Sequence, residues 1–157
     1  VGANPHNIVT GKTSSVQGTF LALANGAPQV AGVHLTITLA SLKTDSAERD
    51  EQVSFIYLDT EDYPTAEFTS TCVRGLPATY QAGKPITFHL VGNLTMHGKS
   101  NAEDFAVQAR LTGTTVTGTA TATIFMTDFG ISPPNFVDFD IVDNKTTVKL
   151  TFTATIA

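Results

Sequence analysis

The chain of 157 residues has a formal net charge of −5, from 14 acidic and 9 basic residues, and contains one cysteine. This length predicts a single domain, residues 1–157, that buries a substantial core or encloses a cavity. The basic residues are scattered, so they form neither a basic stripe that could bind nucleic acid nor a polybasic patch that could bind a membrane surface. No apolar run approaches the roughly 18 to 20 residues of an integral membrane segment. A lone cysteine excludes an internal disulfide.

Alternating apolar and polar residues, which indicate strands with one buried face, begin near the N-terminus. A weak strand is predicted around Ile8, a clearer one over Thr13–Ala24, and a third over Val33–Ser41 after the turn signal Asn25-Gly26. The apolar positions of these strands predict an inner face that includes Phe20, Leu35 and Ile37.

Residues 44–58 break the alternation and predict the only helical insertion. Asp45 and Glu48 have the spacing of a capping box, and Arg49 follows Asp45 at the spacing of a helical ion pair. We expect the segment to cover one end of the sheet, facing it with Val53, Phe55, Ile56 and Leu58.

The longest alternation covers Ile86–Gly98, with Phe88 and Leu90 among its buried positions. Gly92, on the same face, predicts either a bend in the strand or a close approach to the backbone. The preceding strand, Thr65–Val73, places Phe68 and Cys72 on one face, so Cys72 is predicted to be a small buried hydrophobe.

The C-terminal half predicts four more strands. They are Glu103–Leu111, following a turn at 98–102; Thr114–Ile124; and a hairpin of Val137–Val142 with Thr146–Ile156. The inner positions of 114–124 are mostly Gly and Ala, which either complement large opposing side chains or leave an apolar hollow. The sum is an all-β protein with about eight or nine antiparallel strands and one helical insertion.

Candidates for catalysis or metal binding are few. His89 and His97 lie about 27 Å apart along one strand, at about 3.3 Å per residue, and with His34 they occupy the polar face. We therefore expect surface histidines and no metal site. Asp128, among apolar residues, is either a site residue or a cap of its loop. By parity no titratable group lies inside the strands, which disfavours an enzyme that uses Asp128, Tyr63 or a histidine as acid or base.

Five stretches in order resemble the YceI family, bacterial lipocalin-like proteins also described as polyisoprenoid-binding. They are VQGTF at 16–20, the run at 41–50, DYPTAEF at 62–68, GNLTMHG at 92–98 and TDFGI at 127–131. The resemblance implies an eight-stranded antiparallel β-barrel with a helical cap that holds a long isoprenoid, quinone or fatty lipid. It also implies a periplasmic or otherwise extracytoplasmic location and a possible homodimer, and we expect no secretion signal in this chain itself.

The resemblance favours a lined cavity over a packed core. We predict a non-enzymatic protein that carries or sequesters a small apolar or amphiphilic ligand and needs no cofactor. A stress-related module with a packed core, acting through its outer surface, is the further alternative. The ligand-binding residues predicted from parity are Phe20, Leu35, Ile37, Phe68, Phe88, Leu90, Val107, Ala120, Phe139 and Phe152, with Phe55, Phe125 and Phe129 near the mouths.

The chain departs from the family pattern at two places. It has Met126 and Thr127 where the family usually has a basic residue before D-F-G, and Ser100, Asn101 and Ala102 where the family shows a Thr-Lys-Pro-like turn. If that basic residue holds a polar ligand head, this chain binds a different or more neutral one.

Overall fold

A computed structural model describes residues 10–23, 28–132, 135–136, 140–141 and 144–155. The strands are β1 (Val16–Leu23), β2 (Gln29–Thr38), β3 (Thr65–Arg74), β4 (Ile86–Met96), β5 (Lys99–Thr112), β6 (Thr115–Phe125), β7 (Asn135–Phe136), β8 (Asp140–Ile141) and β9 (Lys145–Thr155). Seven of them form one antiparallel sheet in the order β1-β2-β3-β4-β5-β6-β9, curled into a half-barrel. The all-β, lipocalin-like class is confirmed.

The sheet differs from a closed eight-stranded barrel within the described residues. There, β1 pairs with β2 alone and β9 pairs with β6 alone, so both are edge strands. The predicted strand around Ile8 and the predicted turn at Asn25-Gly26 lie outside the described residues.

The inner face follows the predicted parity in the centre of the sheet. Along β4, the side chains from Phe88 to Met96 on one parity are buried while Thr87, His89 and Asn93 are exposed. The inner residues of β5 and β6 are buried in the same way, and the rings of Phe68 and Phe105 meet edge to face at 5.1 Å. Removing such side chains from water contributes about 1.5 to 3 kcal/mol each, so this face is the core.

A bulge in β3 reverses the parity of its last residues. Ser70 pairs with Gly92 and Cys72 with Val91, which leaves Thr71 as an extra residue. Cys72 is consequently exposed, and the prediction of a buried thiol is wrong. A period-two pattern holds only as far as the first bulge, because one extra residue moves every later side chain to the other face.

The helix α1 (Ala47–Gln52) begins one residue later than the capping box predicts. Ser46 is the N-cap residue, and its hydroxyl accepts a hydrogen bond from the Arg49 amide at 3.3 Å. The predicted ion pair between Asp45 and Arg49 is confirmed.

A π-helical turn, Val53–Tyr57, follows α1 and is closed by a hydrogen bond of 2.9 Å from the Leu58 amide to the Val53 carbonyl. Phe55 and Ile56 are 64% and 68% exposed, so the prediction that they face the sheet is wrong. A turn closed by an i→i+5 bond contains more residues than an α-helical turn, and the apolar positions no longer recur on one face.

The predicted hairpin of 137–142 with 146–156 is not seen among the described residues. β9 pairs along its length with β6, and β8 pairs with β7; residues 137–139 and 142–143 lie outside the described residues. The β6–β9 ladder sets a large inner side chain opposite a small one, as in the pair of Phe152 with Gly118. Such pairs fill the sheet surface better than two large side chains would.

Candidate functional site

The candidate site is the concave inner face of the curled sheet. Cross-strand pairing aligns its side chains in rows, and one row crosses four strands: Phe88 of β4, Val107 of β5, Ala120 of β6 and Leu150 of β9. A second row crosses five strands and ends on an amide: Gly18, Leu35, Phe68, Leu94 and Asn101. The face is thus apolar over most of its width and polar towards the beginning of β5.

The predicted ligand-binding residues fall into three groups by burial. The buried ones are Phe68, Phe88, Leu90, Val107, Ala120 and Phe129. Those half-buried on the inner face are Phe20, Leu35, Ile37 and Phe152. Phe55 and Phe125 are exposed; Phe125 is 46% exposed and lies on the same outer face of β6 as Thr123. Phe139 lies outside the described residues.

Burial is graded across the inner face. Its centre is filled by side chains: a Cβ atom at Gly118 would lie 2.8 Å from Cζ of Phe152, and one at Gly92 would lie 2.6 Å from Cζ of Phe68. The Phe152 ring of β9 therefore fills part of the hollow that the small residues of β6 leave. The apolar surface open to a molecule lies towards the edges, on β1, β2 and β9.

A groove of about 400 Å³ lies where β2 and β3 separate. Their ladder ends at the pair His34 and Thr69, and the groove is lined by residues 29–32 and 70–73 together with Leu76. Its lining includes Val30, which packs against the buried core, and the exposed Cys72. The groove therefore leads from the outer surface towards the inner face.

A second groove, of about 390 Å³, lies on the outer face over β4, β5 and β6. Its lining includes the polar side chains of Thr87, His89 and Gln108. Nearby, His89 Nδ1 lies 2.9 Å from Asp104 Oδ1, and Arg74 pairs with the other oxygen of the same carboxylate. This network belongs to the outer surface and does not reach the inner face.

The beginning of β5 places polar side chains on the inner face that the sequence analysis missed. The β4–β5 turn consists of His97 and Gly98 alone, so Lys99 already belongs to β5. Asn101 and Glu103 share the parity of Phe105, and Glu103 is only 9% exposed. The prediction that no titratable group lies on the inner strand face is wrong, and the parity of Glu103 with Phe105 was the signal that would have found it.

The 3-10 turn Met126–Phe129 packs over this end of β5. Phe129 is fully buried, and its carbonyl oxygen lies 3.2 Å from His97 Nδ1. Asp128 is exposed, and its carboxylate accepts a hydrogen bond of 3.5 Å from the Asn101 side chain rather than from the loop backbone. Asp128 is therefore attached to the polar end of the inner face.

The remaining acid–base candidates lie outside the inner strand face. His34 and His89 are exposed, as predicted, and Tyr63 packs its ring against His97 with centroids 5.1 Å apart. Across the described ranges, no three His, Cys, Asp or Glu residues are grouped to hold a metal ion. In the same ranges, no helix has the length and apolar character needed to span a bilayer.

A curled antiparallel sheet with an apolar concave face defines the class of lipocalin-like β proteins. The sequence profile of the YceI-like domain matches residues 3–155, nearly the whole chain. The chain belongs to the YceI family.

Relatives of known sequence include two UPF0312 proteins of Pseudomonas putida. One, from strain GB-1, is 32% identical over 114 residues, which are 68% of this chain and 56% of that protein. Another, from strain F1, is 29% identical over 136 residues, 82% of this chain and 67% of that protein. The chain thus spans between 56% and 67% of the length of these relatives.

Solved structures share the fold. The YCEI protein of Campylobacter jejuni superposes with a TM-score of 0.81 at 14% identity, covering 100% of this chain and 90% of that one. BcnA of Burkholderia cenocepacia gives 0.70 at 26% identity, with 90% and 83% covered. A polyisoprenoid binding domain from Saccharophagus degradans gives 0.68 at 15% identity, with 95% and 98% covered. At 14% and 15% identity the likeness is one of fold alone.

Proposed function

We propose that this protein binds a long apolar or amphiphilic molecule, such as an isoprenoid, quinone or fatty lipid, and carries or sequesters it without a cofactor. The half-exposed apolar inner face along β1, β2 and β9 is the observation that supports the proposal. Family membership and the fold shared with a polyisoprenoid binding domain support it further. A tail that leaves water for this face gains about 0.8 kcal/mol per buried methylene.

The first experiment asks whether the purified protein holds such a molecule. The native mass should exceed the denatured mass, and organic extraction should release the difference as a lipid. Affinity for a series of alkyl chains should then rise about fourfold per methylene until the surface is filled. A single native mass together with no binding of any chain would contradict the proposal.

A matched pair of variants on β9 locates the binding surface. Leu150 is half-buried on the inner face, and its neighbour Thr151 is exposed on the outer face. Leu150→Asp places a charge against the tail and should weaken chain binding at least tenfold, whereas Thr151→Asp adds the same charge outside and should change it less than twofold. Equal effects of the two variants would place the ligand elsewhere.

We also propose an extracytoplasmic location and a homodimer, both on the strength of the family resemblance. Cell fractionation with a tagged natural gene product tests the location, and light scattering during gel filtration tests the oligomeric state. A cytoplasmic product or a monomeric mass at all concentrations would contradict the respective proposal.

A further inference from the structure

Glu103 is a buried carboxylate on the inner face with only part of its hydrogen-bonding capacity used. Glu103 pairs with Gly92 of β4, and Gly92 pairs on its other side with Ser70 of β3. Ser70 and Glu103 therefore lie on either side of Gly92, which has no side chain. The Ser70 hydroxyl accepts a hydrogen bond of 3.0 Å from the Val33 amide. A polar row therefore crosses the face between apolar ones.

The Glu103 carboxylate accepts one hydrogen bond, from the Asn101 side chain to Oε1 at 3.0 Å. None of the ion pairs formed by the described residues includes Glu103. No described residue donates a hydrogen bond to its Oε2 atom. This atom keeps some contact with solvent, because every fully buried side-chain nitrogen or oxygen of the described residues has a hydrogen-bond partner. A carboxylate offers about four acceptor positions, and leaving a buried charge uncompensated is costly.

Among the described residues, the contacts of the 3-10 turn with this end of β5 stop before Glu103. The 3-10 turn and Gly130 contact β5 and its turn at alternate residues: His97 approaches Phe129, Lys99 lies against Gly130, and Asn101 binds Asp128. Glu103 is the next inner residue and lies just beyond these contacts. The β5–β6 ladder stops at the pair Ala106 and Thr121, so the start of β5 pairs with β4 alone within the described residues.

The charges at this end disfavour an anion. Glu103 and Asp128 are acidic, and both are linked to Asn101. The cation nearest along the strand, Lys99, is exposed and stands four residues away, about 13 Å at about 3.3 Å per residue. A phosphate at Glu103 would meet one carboxylate directly and a second through Asn101.

We infer that Glu103 is a specificity-determining residue that accepts a hydrogen bond from the polar head of the ligand, selecting a hydroxyl or ammonium head over a phosphate. The inference rests on the proposed function, since it assigns the head of the molecule whose tail occupies the inner face. Asn101 orients the carboxylate by occupying Oε1, which leaves Oε2 to the ligand.

The test compares three probes with one tail and different heads: geranylgeraniol, geranylgeranylamine and geranylgeranyl phosphate. Each is titrated calorimetrically into the unaltered protein, into Glu103→Gln, and into the control Glu67→Gln, which makes the same change on the exposed outer face of β3. We expect the unaltered protein to bind the alcohol and amine at least tenfold more tightly than the phosphate. Glu103→Gln should reduce that preference at least fivefold, and Glu67→Gln should leave it unchanged.

The outcomes separate the two proposals. Equal binding of all heads by the unaltered protein, or a preference that survives Glu103→Gln, would overturn the role of Glu103 while the tail-binding function stands. Failure of every probe to bind would overturn the function and the head assignment together. If Glu103→Gln does not fold, the head preference of the unaltered protein decides alone, and tighter binding of the phosphate would overturn the inference.

Discussion

Gly92 shows how closely the central strands approach one another. A Cβ atom there would lie 2.4 Å from the Thr69 carbonyl oxygen and 2.6 Å from Cζ of Phe68. Neither neighbour can move freely, because one is backbone and the other is a buried ring. The close approach predicted from the sequence is therefore the reason for glycine at this position.

We expect Gly92→Ala to destabilise the protein by about 1 to 3 kcal/mol, as overpacking of a core does. Gly11→Ala is the control, because its new methyl group would meet its nearest atoms at 3.8 Å, and it should change stability by less than about 0.5 kcal/mol. Urea denaturation measures both. A Gly92→Ala variant as stable as the control would show that the strands separate at little cost.

Asp50 is the residue for which the structure supports a pH prediction. Thr44 donates to its carboxylate from the hydroxyl and from the backbone amide, each at 2.7 Å, and these hydrogen bonds lower the pKa of Asp50 from its usual value of 3.8. A carboxyl with a lowered pKa stabilises the fold above its unfolded pKa, and this stabilisation is lost as the pH falls through the folded value.

Thr44→Val removes the larger of these two contributions, the hydroxyl hydrogen bond. The pKa of Asp50 should rise towards its usual value, so the stability that this carboxylate contributes should become smaller and its loss in acid should be complete at a higher pH. NMR titration of the side-chain carboxyl measures the pKa, with Thr117→Val on the exposed face of β6 as control. An Asp50 pKa unchanged by Thr44→Val would assign the shift to the amide alone.

Among the elements, β3 carries the clearest consequence of a local irregularity. Beyond the bulge, Val73 pairs with Leu90 on the inner side, and Cys72 faces solvent. Val73→Ala should therefore cost about 1 kcal/mol of apolar contact, whereas Cys72→Ala should cost less than about 0.5 kcal/mol.

A thiol reagent provides an independent measurement of the same feature. We expect Cys72 in the native protein to react fully without denaturant. A thiol that reacts only after unfolding, or a Cys72→Ala variant less stable than Val73→Ala, would show that β3 continues without the bulge.

Period-two alternation predicted the strands well where the register is regular. It placed the inner residues of β4 correctly, because eleven residues there pair with β5 without interruption. It failed at Cys72, because the bulge depends on pairing with another strand, and it does not identify the partner of β9, which pairs with β6. It located the apolar part of the candidate site but not its polar end, since the predicted turn at 98–102 hid Asn101 and the inner parity of Glu103 at the start of the predicted strand was overlooked.

Over the whole molecule, protection from hydrogen exchange should follow the order of the sheet. We expect the slowest amides in β4 and β5, which are central and carry many buried side chains, and faster ones in β1 and β9. Exchange followed by NMR in the native state measures this gradient. Amides of β9 protected as strongly as those of β4 would indicate that a further segment covers that edge.

The two-residue turn His97-Gly98 has a kinetic consequence. Both residues have positive φ, 55° and 74°, the geometry that brings two strands together with a right-handed twist. Closing so short a loop costs little chain entropy, whereas β9 must wait for residues 126–144 before it can pair with β6. We therefore expect the β4–β5 hairpin to belong to the folding nucleus and β9 to join after the rate-limiting barrier. The register of the central strands is then fixed before β9 completes the concave face.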